Sequence, residues 1–170
     1  MNDTQKTDDK QQRWPDLSGR LVVVDGRQRH LLAVRVYFED TDFSGLVYHA
    51  SYLRWCERGR SDFLRLLGND HRGLITGAAG REPAAFVVRR MSLEFRKPAR
   101  IDEVLEVTTR VRETGAAHLV LAQSIARDGA VLFEADVMVV LVSVSGKPMR
   151  IASTLQAAFG SDQGLSSVEP

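Results

Sequence analysis

The chain has 170 residues, 44% of them hydrophobic and 26% charged, a composition that fits one folded domain and argues against global disorder. Its 23 basic and 22 acidic residues leave a formal net charge of +1, so charge gives no reason to expect a nucleic-acid partner. The single cysteine, Cys56, excludes an intrachain disulfide and suits a reducing compartment. The longest apolar run, Val137 to Val142, is far shorter than the roughly 20 residues of a membrane span. We expect a cytoplasmic protein without a secretory signal.

The two ends of the chain are polar and carry few large apolar residues. Segments of this composition bury too little apolar surface to fold by themselves. We therefore predict a disordered arm over 1–18, one domain over 19–159 and a disordered tail over 160–170.

Two strand patterns open the domain. β-Branched residues from Leu21 to Val24 predict a short strand, and the Asp25-Gly26 pair after it favours a tight hairpin. A second strand is predicted from Leu31 to Phe38, where it ends at Glu39 and Asp40. The residues that follow have the composition of a turn.

A helix pattern comes next. Its apolar positions recur at steps of three and four residues, and they are Tyr52, Trp55, Cys56, Gly59, Phe63 and Leu66. This spacing predicts one amphipathic helix from Ala50 to Leu67, with Gly68 as its C-terminal cap. Gly59 lies on the apolar face, where its missing side chain would let a strand approach closely. Asn69 to Glu82 has no period and is predicted to be a loop.

The second half of the chain consists of strand patterns separated by turn residues. The predicted strands are Ala85–Phe95, Val104–Glu113, His118–Arg127 and Ala130–Val144, and a short amphipathic helix follows at Ser153–Phe159. Asp128-Gly129 predicts that the last two strands form a hairpin. We expect an α+β fold in which a curved antiparallel sheet of about five strands wraps the long helix. One helix cannot cover both faces of such a sheet, so we expect a second subunit to cover the other face.

The acidic turn places Glu39, Asp40 and Asp42 just before the helix. Free backbone N–H groups at a helix N-terminus stabilise an anionic oxygen, and a carboxylate opposite them can attack or activate water. Together these groups could form a hydrolytic site. The residues from Asp40 to Gly45 also fit the opening of an EF-hand calcium loop, but position twelve of that loop is Ser51, where a Glu is needed.

The run YFEDTDFSGLVYHASYLRWCERGR, residues 37–60, carries a family resemblance. It is similar to the signature of hotdog-fold acyl-CoA thioesterases of the 4-hydroxybenzoyl-CoA thioesterase superfamily, and most closely to the YbgC type associated with the Tol–Pal system. The likeness continues through 86–91 and 95–100 and covers about Leu31 to Ile151. The turn reads Phe43-Ser44-Gly45, where relatives often have Ala-Gly-Gly or Pro-Ala-Gly.

The resemblance implies a hotdog fold that hydrolyses acyl-CoA without a metal or cofactor. It implies that Asp42 is the catalytic carboxylate and that the backbone N–H of His49 is the oxyanion donor. It also implies sites at subunit interfaces, in a homodimer or a homotetramer. Acyl carrier protein stays open as a second partner, and so does peripheral association with the inner membrane.

Several interpretations stay open at this point. Asp42 can attack the thioester carbonyl or activate water, and the imidazole of His49 can be catalytic or merely packed. Five basic residues, Arg89, Arg90, Arg96, Lys97 and Arg100, either bind coenzyme A phosphates or an acidic carrier protein, or form an ordinary solvated face. The rival functions are a non-hydrolytic acyl-binding scaffold linked to the cell envelope and a hotdog dehydratase, for which no His-Phe-Pro motif is found.

Overall fold

The computed structural model describes residues 18–69, 71–77 and 82–159. The predicted tail over 160–170 and all of the predicted arm except Ser18 lie outside the described residues. The strands are β1 (Arg20–Val24), β2 (Arg27–Arg35), β3 (Ala84–Phe95), β4 (Val104–Thr114), β5 (His118–Arg127) and β6 (Ala130–Ser143). The helices are α1 (His49–Leu66), α2 (His71–Thr76) and α3 (Ser153–Ala158), and a 3₁₀ turn spans Phe38–Asp40.

The strands form one antiparallel sheet in the order β1-β2-β4-β5-β6-β3. The sheet has six strands, in keeping with the prediction of about five, and β1 pairs along its whole length with β2. β3 and β4 are neighbours in sequence, but β5 and β6 separate them in the sheet. In the described part of the chain, one side of β3 is consequently a free edge.

Two sequence predictions are corrected by the structure. The second strand ends at Arg35 rather than at Phe38. Beyond it the backbone N–H of Tyr37 donates to the Asp40 carboxylate at 2.9 Å, and this contact turns the chain into the 3₁₀ helix. The segment predicted as a loop after α1 contains the six-residue helix α2.

The two Asp-Gly hairpins are confirmed. Asp25 and Gly26 have φ values of 52° and 74°, and Asp128 and Gly129 have φ values of 49° and 78°. Positive φ at both central residues is the geometry of the tight turn whose twist matches that of paired strands. The local dipeptide therefore determines the β1–β2 and β5–β6 connections.

Helix α1 buries one face against the sheet, as its spacing predicts. The buried residues of this face are Ser51, Tyr52, Trp55, Cys56, Gly59, Phe63 and Leu64. The helix ends as predicted at Gly68, which has a φ of 78°; its N–H donates to Arg65 O and the next amide, of Asn69, donates to Leu64 O. This pair of bonds is a Schellman motif, which satisfies the last helical carbonyls.

The close approach predicted at Gly59 is present, although side chains rather than a strand backbone make it. A Cβ atom at this position would lie 2.9 Å from Thr109 Oγ1 and 3.3 Å from Val107 Cγ1, both on β4. The hydroxyl of Thr109 also accepts a hydrogen bond of 2.8 Å from the buried Gln123 side chain on β5. The helix thus packs on a polar pair in the middle of the sheet.

Candidate active site

The acidic turn is a small hairpin that leads into α1. Thr41 pairs with Val47 across it, and the Asp42 N–H donates to Leu46 O at 2.9 Å. The N–H of Gly45 donates to Asp42 O at 3.0 Å, and the φ of 74° at Gly45 favours glycine there. The turn therefore presents Asp42 at its beginning and delivers the chain to the helix start.

The connection between β3 and β4 holds this hairpin against the domain. The N–H of Val47 donates to Ala99 O at 2.9 Å, and Leu46 pairs with Arg100. The N–H of Ala99 in turn donates to the phenolic oxygen of Tyr52 at 2.9 Å. Tyr52 is therefore a core residue that ties the first turn of α1 to the loop framing the site.

Asp40 has a structural role. It is 6% exposed, its Oδ2 accepts the Tyr37 N–H, and its carbonyl accepts the Tyr48 N–H at 2.8 Å and the Ser51 hydroxyl at 3.2 Å. In an EF-hand, the corresponding carboxylate would bind calcium and a helix would precede the loop. Here the Asp40 carboxylate binds a backbone amide and a strand precedes the turn, so the segment is not an EF-hand. Among the described residues, no group of three or more metal-ligating side chains is clustered.

Asp42 is exposed, and the two hydrogen bonds that its side chain accepts from the described residues both come from Ser44. Its Oδ1 accepts the Ser44 N–H at 2.8 Å and the Ser44 hydroxyl at 2.5 Å. These two donors hold the pKa of the Asp42 carboxyl below its usual value, and the charge of His49 lowers it further. The carboxyl is therefore ionised at neutral pH, as an attacking group or a base must be. Ser44 is not among the residues predicted for the site, although its spacing two residues after an aspartate is the signal for such a turn.

The start of α1 supplies an available amide. The N–H of Tyr48 is bonded to Asp40 O, and that of Ser51 is bonded to Tyr48 O. Within the described residues the N–H of His49, the first helical residue, has no recorded acceptor. The first amides of a helix lack partners within the helix, so this N–H can receive an anionic oxygen. The imidazole of His49 lies against the Tyr48 ring, with ring centres 4.3 Å apart.

Both predicted catalytic residues lie on the surface of a single protomer. Phe43 beside them is fully exposed and Tyr48 is 42% exposed. A small cavity of about 50 Å³ lies instead between α1 and the sheet, lined mostly by apolar side chains together with Glu57, Arg60 and His71. No sequence pattern singled out these three residues as a group.

The cysteine and the basic residues of the sequence analysis have different surroundings in the structure. Cys56 is buried, and this burial raises the pKa of its thiol to about 12, so it is a core residue and not a nucleophile. Arg96 is paired with Glu134. Lys97 and Arg100 are exposed on the loop that holds the acidic turn. No helix in the described part of the chain has the length and apolar character needed to cross a membrane.

Comparison with known proteins identifies the family. A family model described as the thioesterase-like superfamily matches residues 36–159. The chain belongs to this superfamily. The acyl-CoA thioester hydrolase YbgC of Escherichia coli is 41% identical over 128 residues, which cover 74% of this chain and 92% of that protein. The acyl-CoA thioesterase YbgC of Haemophilus influenzae is 36% identical over 127 residues, or 74% of this chain and 90% of that protein.

Solved structures of the superfamily confirm the hotdog fold. A probable thioesterase from Bartonella henselae superposes with a TM-score of 0.70 at 43% sequence identity, covering 73% of this chain and 99% of that one. A 4-hydroxybenzoyl CoA thioesterase mutant in complex with 4-hydroxybenzoyl CoA superposes with a TM-score of 0.71 at 17% identity, covering 78% and 99%. The predictions of a hotdog fold, of YbgC-type relatives and of a thioester hydrolase are thus confirmed.

Proposed function

We propose that this thioesterase hydrolyses acyl-CoA to a carboxylic acid and coenzyme A, with Asp42 and the His49 amide as its catalytic groups. The observation that carries the proposal is their pairing at one turn: an ionised carboxylate stands before a helix start whose first N–H has no acceptor among the described residues. The YbgC relatives support the substrate class, because their names specify acyl-CoA thioesters.

The proposed mechanism assigns one part of the reaction to each of these two groups. Asp42 delivers the attack on the thioester carbonyl carbon, directly or through a water molecule that it deprotonates. The carbonyl oxygen then carries the negative charge, which the His49 N–H and the helix dipole stabilise. Collapse of this intermediate breaks the carbon–sulfur bond and releases the thiolate of coenzyme A. In the direct route, water then hydrolyses the mixed anhydride and regenerates the carboxylate.

The surroundings of the turn also favour a coenzyme A ester. Lys97 and Arg100 are exposed beside it and can meet phosphate groups. A scaffold that only binds acyl groups is the competing function. Incubation with a panel of acyl-CoA esters and a thiol reagent separates the two, because a pure binder releases no free thiol.

Substitution of Asp42 by Asn tests the mechanism. The Asp42→Asn variant retains the turn but loses the negative charge, so we expect kcat to fall by about 10²–10⁴ while the fold is unchanged. Glu39→Gln is the matched control, because Glu39 is an exposed carboxylate of the same acidic turn and should keep full activity. Near-normal turnover by Asp42→Asn, with the thiol release measured at saturating substrate, would remove Asp42 from the mechanism.

We also propose that the active enzyme is a dimer paired through the free edge of β3. Four large apolar residues of this strand are exposed, namely Val87 at 43%, Val88 at 46%, Leu93 at 38% and Phe95 at 50%. Phe95 packs on Tyr52 in the first turn of α1, with ring centres 5.7 Å apart. Antiparallel pairing of two β3 strands would therefore bring the first half of the second copy's β3 beside this helix start and close the open site.

A further inference from the structure

We propose that Ser44 is a positioning residue for Asp42: its two donors hold Oδ1 and leave Oδ2 as the oxygen that meets the substrate. The inference rests on the proposed function and extends it to a residue that does not itself touch the reacting atoms. Both donors belong to one residue, so the arrangement is built into the turn.

The hydrogen bonds from Ser44 distinguish the two carboxylate oxygens of Asp42. The Ser44 N–H lies 2.8 Å and the Ser44 hydroxyl 2.5 Å from the same atom, Asp42 Oδ1. Within the described residues no donor is recorded on Oδ2. A free carboxylate rotates about its last bond between nearly equivalent orientations. Two donors on one oxygen remove that freedom and keep the other oxygen available to solvent and substrate.

The rest of the turn keeps Ser44 in place. The Asp42 N–H is bonded to Leu46 O and the Gly45 N–H to Asp42 O, so the backbone on both sides of Ser44 is fixed. The groups that act on the Asp42 charge are the Ser44 amide, the Ser44 hydroxyl and the His49 imidazole. Of these, the hydroxyl is the one that a substitution removes without altering the backbone or the helix start.

These contacts determine the direction in which the pKa of Asp42 should change when the Ser44 hydroxyl is removed. A hydrogen bond to the carboxylate favours its ionised form, so loss of the hydroxyl raises the pKa of Asp42. A smaller fraction of the enzyme is then ionised at acidic pH. The acidic limb of the kcat/KM profile therefore moves to higher pH, and the plateau falls by roughly 3- to 10-fold, the factor of one net hydrogen bond.

The test compares three variants across pH with one acyl-CoA ester. We expect Ser44→Ala to shift the acidic limb, and Ser44→Thr, which retains the hydroxyl, to restore the wild-type profile. Thr41→Val is the matched control, because this hydroxyl lies in the same segment but donates to Phe38 O rather than to Asp42. A Ser44→Ala limb that overlies the wild type, or an equal shift in Thr41→Val, overturns the proposal.

A second measurement does not depend on turnover. A carbon-13 NMR titration of the Asp42 carboxyl should show a higher pKa in Ser44→Ala than in the wild-type protein. If the wild type hydrolyses no acyl-CoA, the proposed function fails while this titration still decides the role of Ser44. An unchanged Asp42 titration in an active enzyme refutes the positioning role alone.

Discussion

The backbone amide and the imidazole of His49 can be separated experimentally, because only the imidazole is lost on substitution by Ala. The proposed oxyanion donor is the N–H, which His49→Ala keeps at the helix start. We therefore expect kcat of His49→Ala to stay within about tenfold of the wild type, against the loss of about 10²–10⁴ expected for Asp42→Asn. Both values come from steady-state release of thiol.

The pH profile provides an internal check of the His49 variant. The positive charge of His49 lowers the pKa of Asp42, so its removal should move the acidic limb to higher pH. A kcat loss in His49→Ala as large as that in Asp42→Asn would instead assign the imidazole a catalytic role.

Individual residues differ in how far the sequence alone predicts them. Local order indicates a hydrolytic site, because an acidic turn stands directly before a helix start, but the choice of Asp42 and His49 within it comes from the family resemblance. The use of Ser44 as the donor to Asp42 depends on side-chain rotamers, which spacing does not specify. Glu57, Arg60 and His71 border one cavity because α1, α2 and the sheet pack together, and that packing is not local.

Among the secondary-structure elements, those set by local sequence were predicted well and those set by other contacts were not. Helix α1 and the two Asp-Gly turns follow from periodicity and turn chemistry, so their predicted positions agree with the structure to within about a residue, although β2 begins at Arg27 and not at the predicted Leu31. The end of β2 was predicted wrongly because Tyr37 and Phe38 have strand propensity, but the Asp40 carboxylate captures the Tyr37 amide. Tertiary and local polar contacts override propensity at such sites.

The packing of α1 on the sheet leads to a stability prediction for Gly59. Ala is favoured over Gly inside a helix by about 1 kcal/mol. Here its Cβ would meet the buried Thr109 hydroxyl at 2.9 Å, and Thr109 cannot move without weakening its bond to Gln123. Overpacking of this kind costs about 1–3 kcal/mol, so we expect Gly59→Ala to be less stable than the wild type by about 1 kcal/mol.

Urea unfolding followed by circular dichroism would measure this change. Arg58→Ala is a suitable control, because Arg58 is the exposed neighbour on the same helix and its substitution should stay within about 0.5 kcal/mol of the wild type. A more stable Gly59→Ala variant would mean that helix propensity outweighs the close contact with β4.

The strand order of the whole molecule could not be predicted from the sequence. β3 is followed in the chain by β4, and a simple hairpin would have paired them. Instead β3 lies beside β6, along a register that shifts near Arg89. The expected apolar outer face is also interrupted by the pair Arg112–Asp136, so the exposed apolar surface is found mainly at the β3 edge and around the acidic turn.

The free edge of β3 leads to a prediction about the oligomeric state of the enzyme. A long edge strand with exposed apolar side chains readily pairs with another strand. Val88 and Leu93 pair with Val139 and Ala135, residues whose side chains are buried against the domain core, so both lie on the helix side of β3. We expect the double substitution Val88→Lys and Leu93→Lys to convert a dimer into a monomer.

Light scattering coupled to size exclusion, combined with thiol-release assays, would test this assembly. The wild type should have the mass of two chains or more, and the double variant should lose both this mass and most of its activity, because its acidic turn would stay open to solvent. Val23→Lys is the matched control: Val23 is 72% exposed on β1, the opposite edge of the sheet, and its substitution should change neither property. A monomeric wild-type enzyme with full turnover would show that one protomer contains the complete site, and the β3 edge would then need another explanation.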